Sequence, residues 1–324
     1  RDYDLYIELG TDQHTTEFLG YRHFYYSLYL LSLCIFSRKP FMIIGASVGP
    51  FMTRLSRLVI KIVFNRAELF TVREKISMKY LNGLVTSQNL YLTADPAFTL
   101  EPTTTMKITE FSRKNIEDNI PLVGISPSDS IWLVCFPNIR NRSDKQKMYI
   151  ELMAKLSDFI IDNIGARIIF IPRIIPPDQS VIEKIQQKIR YRQRTIMLRD
   201  SNTNEQAGII SRCQLFIACR LHSAVASVSA GVPTIVLSYS HKFPGVLAPF
   251  LDVTSINDIT ANFTPDELYD QICRQIKYMW LNKAEISQYL KGKMPEIKEK
   301  GLLNAILVKK ALFSLNIKTH RFNL

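Results

Sequence analysis

The sequence predicts an α/β protein of two Rossmann-like domains facing a cleft, a GT-B-like arrangement. Three observations carry this expectation. Short apolar runs alternate along the chain with amphipathic helical stretches, the pattern of parallel strands joined by helical crossovers. A polar, threonine-rich break over 102–121 divides the alternation into two series. The length, 324 residues, is about twice that of an average domain.

Taken in order, the first series opens with a strand over 4–9, a polar loop over 10–17 and an apolar helix over 21–37. The thirteen-residue apolar run from Phe24 to Phe36 is shorter than the roughly 20 residues a membrane span needs, so it reads as a buried core helix. A strand over 41–45 leads into the turn residues Ala46-Ser47-Val48-Gly49-Pro50. The helix over 53–65 carries Leu55, Leu58, Val59 and Ile62 at the spacing of one face, which is expected to be its core face. A strand over 69–72 runs into Arg73, a helix covers 74–81, and a strand over 91–93 leads into Ala94-Asp95-Pro96-Ala97-Phe98. The second series has strands over 122–126, 167–172, 195–198, 215–218 and 234–237. Helices over 149–163, 180–191, 203–212 and 223–230 lie between them. The expected organisation is a first domain over 1–105, a linker over 106–121, a second domain over 122–255 and basic C-terminal helices over 256–324.

Composition is that of an ordinary globular chain: 47% hydrophobic and 22% charged. This excludes disorder and fibrous architectures. The five cysteines, at 34, 135, 213, 219 and 273, form no C-x-x-C pair and no His–Cys spacing. They read as reduced core residues in a reducing, cytoplasmic compartment, with no metal expected. The net charge is +12, and the last 48 residues hold ten Lys/Arg against three Asp/Glu. That bias suits an anionic membrane surface or a phosphate-bearing substrate. Zinc-finger spacing and RNP-type strands are missing, so nucleic acid is not an expected partner.

The stretch Cys219-Arg220-Leu221-His222-Ser223-Ala224 follows a strand and opens a helix. It sets a guanidinium, an imidazole and a hydroxyl at a helix N-terminus, where the macrodipole favours an anion. Twenty residues beyond His222, after the next strand, stands Lys242. Successive parallel strands bring their carboxyl ends to one edge, so Lys242 is expected near His222. Asp95 before Pro96 reads as a turn-capping carboxylate, and His23, Trp132 and Trp280 as structural residues. Asp12 and His14, in the loop after the first strand, are weak candidates for contact with an acceptor.

Arg-Leu-His-Ser at 220–223, Ala-Gly-Val-Pro-Thr-Ile at 230–235, and Tyr239 with Lys242 resemble the polysaccharide pyruvyl transferase family. Three segments of the first half agree: Gly45-Ala46-Ser47-Val48-Gly49-Pro50, the strand ending in Arg73 with Ser77 four residues on, and Asp95-Pro96-Ala97-Phe98. Two departures stand beside them. The family's opening strand and Asn-x-Gly-Asp turn do not precede Arg1, so the first domain is expected to be N-terminally incomplete. Its Gly-Gly-Asp-like loop is here Leu9-Gly10-Thr11-Asp12.

The resemblance implies transfer of a pyruvyl group from phosphoenolpyruvate to a sugar of a polysaccharide or lipid-linked glycan, giving a pyruvate ketal. The donor is a substrate, and no cofactor is implied. Arg73, Arg220, Ser223 and Lys242 would bind the donor and His222 would act as general acid or base. The enzyme is expected in the cytoplasm, held at the inner membrane face by its basic C-terminal segment. Two other readings compete: a nucleotide-sugar glycosyltransferase of the same fold, disfavoured by the lack of a Glu-x7-Glu arrangement, and a non-catalytic membrane-surface binding module.

Overall fold

The computed structural model describes residues 3–16, 20–86, 88–103, 105–116, 119–250 and 252–315. The chain divides into two compact units, Arg1–Thr99 with Pro295–Leu324, and Leu100–Met294.

The first unit is built on four parallel strands in sequential order. These are β1 (Tyr6–Leu9), β2 (Phe41–Ala46), β3 (Leu69–Val72) and β4 (Leu90–Leu92), linked through α1 (Gly20–Ser27), α2 (Tyr29–Phe36), α3 (Arg54–Phe64) and α4 (Lys75–Leu81). Strands β2 and β3 are buried along their whole length, as their unbroken apolar runs require. One core joins Phe24, Leu28 and Leu31 to Phe41, Ile43, Ile60, Val63, Phe64 and Phe70. A second joins Met42, Ile44 and Leu69 to Leu312.

Two helices depart from the sequence expectation. The apolar stretch after β1 is two short helices separated by Leu28, not one buried rod. Phe24, Leu28, Leu31 and Cys34 reach the core, while Tyr26, Tyr29 and Phe36 are exposed. Helix α3 turns Ser56, Ile60, Val63 and Phe64 inward and leaves Leu55, Leu58 and Ile62 outside. It carries two apolar stripes, and only one can meet the core.

The second unit begins with α5 (Met106–Asn115), inside the stretch expected to be linker. Thr105 caps α5 and donates to Glu205 Oε1 at 2.9 Å, and Ile108 is buried, so the segment belongs to the packed unit. The elements that follow are β5 (Leu122–Ser126), α6 (Arg142–Ile164), β6 (Arg167–Phe170), α7 (Pro177–Lys188), β7 (Thr195–Met197), α8 (Thr203–Ile210), β8 (Leu215–Ala218), α9 (Leu221–Ser229), β9 (Thr234–Ser238), α10 (Lys242–Val246), β10 (Ser255–Asp258) and α11 (Pro265–Leu281). All six strands are parallel, in the order β10-β9-β8-β5-β6-β7. This is the Rossmann order, with its switch point between β5 and β8.

The C-terminal helices are shared between the units. Strand β10 and α11 complete the second, and α12 (Lys283–Ser314), which contains Pro295, passes from the second into the first. Asn304 fastens the returning part. Its amide oxygen accepts from the Thr71 and Thr93 hydroxyls at 2.6 and 3.0 Å, and its nitrogen donates to the carbonyls of Ala94 and Gly301. A buried amide with both ends satisfied fixes one docking register for the helix.

Candidate active site at the switch point of the second sheet

In a doubly wound sheet the crevice opens where neighbouring strands send their helices to opposite faces, outside the carboxyl ends. Here those ends belong to β5 and β8, which are joined by a contact of 2.9 Å between the Ser126 and Ser223 hydroxyls, both buried. Ser223 therefore ties the first turn of α9 to the neighbouring strand.

Arg220 stands at the N-cap of α9. Its Nη2 and Nε donate to the two oxygens of Asp178 at 2.5 and 3.2 Å, and Nη1 reaches the Ser130 hydroxyl at 3.3 Å. Asp178 is fully buried and also accepts from the backbone N–H groups of Asp129, Arg173 and Ile174 at 3.0, 3.2 and 2.9 Å. The loops after β5, β6 and β8 thus converge on one carboxylate, which holds the guanidinium as a planar fork. Burial pulls the Arg220 pKa down, but the Asp178 contact outweighs it and the net direction is up.

Arg173, absent from the sequence-derived candidates, lies beside this pair. Its Nη1 donates to Gln206 Oε1 at 2.8 Å, and its pKa is lowered, first by burial and next by the Arg220 charge. Two guanidiniums that repel each other next to a helix N-terminus create a place where an anion relieves the repulsion. The only sequence signal for Arg173 is its place just after a strand. Asp178 sits inside an unremarkable polar helix start.

His222 is exposed in the first turn of α9. Lys242 is half-buried at the first position of α10, with Nζ 5.6 Å from the ring centre of Tyr239. Tyr239 also acts electrostatically on Arg220. Strands β8 and β9 are parallel neighbours, so Arg220, His222 and Lys242 share one sheet edge. Beneath it, Tyr149 donates to Cys219 Sγ at 3.5 Å, and burial pushes the Cys219 thiol up to about 12. A thiol so placed stays protonated at neutral pH and makes a poor nucleophile.

The three remaining candidates belong to the first unit. Arg73 ends β3 and is only 4% exposed; Nη1 pairs with Asp95 at 2.8 Å and Nε donates to Ser47 at 2.7 Å. Asp95 also accepts from Ala97 N–H at 2.9 Å, the turn-capping role its sequence suggests. The Ser77 hydroxyl meets both Val48 N–H and Val48 C=O, and Ser77 also bonds the N-cap residue Glu74.

Gly45 has a positive φ, and a Cβ there would stand 2.8 Å from the Pro96 ring. Gly49 has a positive φ and meets Tyr80 at 2.6 Å. Only glycine fits either place. The recognisable segments of the first half therefore interlock at the end of one sheet.

His14 is fully buried: Nε2 lies 3.0 Å from Glu8 and Nδ1 2.9 Å from Ser27. It is a core residue, and its surroundings are not those of the acceptor contact expected from the sequence. Glu8 is raised by burial but brought below its ordinary value overall by His14 and Thr11. Asp12 is half-buried in the same loop. Among the described residues no group of three or more His, Cys, Asp or Glu is placed to hold a metal ion.

The family model for polysaccharide pyruvyl transferase matches residues 2–241. Amylovoran biosynthesis protein AmsJ from Erwinia amylovora is 26% identical over 231 residues, covering 67% of this chain and 53% of that protein. The chain thus spans about half the length of this curated relative.

Similar solved structures include the UDP-GlcNAc 2-epimerase of Neisseria meningitidis bound to UDP-GlcNAc. It has a TM-score of 0.63 at 13% identity, over 96% of this chain and 76% of that one. The S. aureus MnaA–UDP structure has a TM-score of 0.62 at 12% identity, over 98% and 77%. Anabaena Alr3699/HepE with UDP and glucose has a TM-score of 0.58 at 13% identity, over 95% and 77%. At these identities the likeness concerns the fold alone: two Rossmann-like domains.

Proposed function

The chain belongs to the polysaccharide pyruvyl transferase family, and on that premise we propose that it transfers a pyruvyl group from phosphoenolpyruvate to two hydroxyls of a glycan sugar. The observation that carries this reading is the Arg220 fork, held by buried Asp178 beside the exposed His222 and a second guanidinium, Arg173. Phosphoenolpyruvate brings a carboxylate and a phosphate on a three-carbon frame. Arginine forks onto carboxylate, whereas lysine meets phosphate as a point charge.

Arg220 and Arg173 therefore bind one anionic end and Lys242 the other. Ser223 holds the first turn of α9 to β5 and so sets the position of His222. Arg73 enters as a donor-binding residue only by opening its pair with Asp95, so we assign it first to the architecture of its own unit.

The chemistry balances without a redox partner. A proton delivered to the methylene carbon turns the enol phosphate into an oxocarbenium-like centre at the middle carbon. One sugar hydroxyl adds there and loses its proton to a base. The carbon–oxygen bond to phosphate then breaks and inorganic phosphate departs. The second hydroxyl adds to the oxocarbenium centre that this leaves, gives up its proton to the departing phosphate or a base, and closes the ketal. His222, an accessible imidazole that can serve as acid or base, carries the proton in one of these steps. Association with the inner membrane face, where a lipid-linked acceptor would be presented, belongs to the same proposal. No helix among the described residues is long and apolar enough to cross a membrane.

The test is incubation with phosphoenolpyruvate and candidate glycans, reading phosphate release together with the pyruvate ketal by mass spectrometry. Calorimetric titration with UDP-sugars runs alongside. Tight UDP-sugar binding with no response to phosphoenolpyruvate would replace this reading with a glycosyltransferase.

A further inference from the structure

The outer surface of the helical layer in the first unit has the wrong composition for plain solvent. Helices α1, α2 and α3 pack side by side and share one core with the sheet. Their opposite side presents Tyr26 (76% exposed), Tyr29 and Phe36 (84%) at helical spacing, with Leu55, Leu58 and Ile62 of α3 each more than half exposed. Isolated exposed apolar residues need no explanation, but adjacent helices showing two such stripes do.

The charges are just as one-sided. Residues 20–67 contain seven Lys/Arg and not one Asp or Glu. Arg22, Arg38, Arg54, Arg57, Lys61 and Arg66 are exposed.

We infer that this face of α1–α3 docks the protein onto an anionic lipid surface. Charge complementarity selects the occupant. A second copy of the same face would set cation against cation. The phosphate backbone of a nucleic acid would leave the leucines and Phe36 without apolar partners. An anionic bilayer meets both needs: headgroups neutralise the arginines and lysines, while tyrosine rings and short aliphatic side chains enter the boundary between headgroups and acyl chains. The helices are too short to span and lie in the plane of the interface.

This inference sharpens the membrane-side part of the reading above by moving the contact from the basic C-terminal segment to the outer face of α1–α3. Vesicle binding is measured without phosphoenolpyruvate, so its failure and that of the transfer reaction are separate results. The protein is co-sedimented with phosphatidylcholine vesicles, with and without phosphatidylglycerol, at low and high salt. A Leu55→Ser/Leu58→Ser/Ile62→Ser variant and an Arg54→Gln/Lys61→Gln variant are compared with Lys309→Gln/Lys310→Gln. All these positions are solvent-facing, and thermal melting checks the fold.

We expect binding only with phosphatidylglycerol, fading at high salt. The leucine–isoleucine variant should lose more than about tenfold, and each α3 cation about fivefold. The Lys309/Lys310 variant should bind like the parent. Absence of binding at low salt would overturn the inference. So would equal uptake by neutral vesicles, loss confined to the Lys309/Lys310 variant, or a solution dimer that the α3 variant dissolves without any vesicle uptake.

Discussion

Each unit ends a parallel strand on an arginine that meets an aspartate, and the two pairs differ in what surrounds them. Arg73–Asp95 is closed on every side: both side chains are buried, and Ser47, Ala97 and the glycine loop complete the contacts. Arg220–Asp178 has its carboxylate buried and its guanidinium partly open, with exposed His222 two residues along. A buried ion pair whose hydrogen bonds are all internal serves architecture. The same pair, open on the cation's side and crowded by a second cation, is prepared for an anion. Under the proposed function, motif residues of one family would divide into a structural set and a chemical set.

The largest effect expected from this contrast is at His222. His222→Ala should lower turnover by ~10²–10⁴-fold with the melting temperature unchanged, since the side chain is exposed. Near-normal ketal formation would remove His222 from the chemistry, and loss of the fold would make it structural.

Next comes Arg73→Ala, which strands buried Asp95 and should cost about 3–5 kcal/mol of stability in denaturant titration. A variant that melts normally but binds phosphoenolpyruvate poorly would reverse the assignment and make the two pairs equivalent.

Asp178→Asn is expected to act through Arg220. The fork loses its charge partner, and donor affinity should fall roughly ten- to hundredfold. Because the effect is positional, KM should rise more than kcat falls, and acceptor KM should hold. A fall in kcat alone would argue for a different role.

The smallest effect concerns Glu8. Its carboxyl titrates lower in the folded chain than in the unfolded one, beside His14. The pair's contribution is therefore complete above the ordinary carboxylate range and lost as pH falls through the folded value. Glu8→Gln should lower stability near neutrality and flatten the acid limb of stability against pH, so that variant and parent converge at low pH. An identical acid limb would mean that the pair does not contribute.

Much of this molecule was legible along the chain, because parallel strands buried on both faces must be short apolar runs and their ligand loops must follow them. Alternation of strand and helix and the loop carrying Arg220 and His222 both come from local pattern. What the pattern could not decide were choices settled by residues distant in sequence. Helix α3 offers two apolar stripes, and only contact with Phe41, Ile43 and Phe70 selects Ile60, Val63 and Phe64 for the core. Arg73 and Arg220 look alike as strand-ending cations until Asp95 closes over one and Asp178 anchors the other from beneath. Asn304 reaches back more than two hundred residues to Thr71 and Thr93, placing the last helix in the first unit. Periodicity fixes which segments are amphipathic, because it is a property of neighbouring residues. Which face is buried, and which charge is spent on a partner, depends on atoms that meet only after the chain has folded.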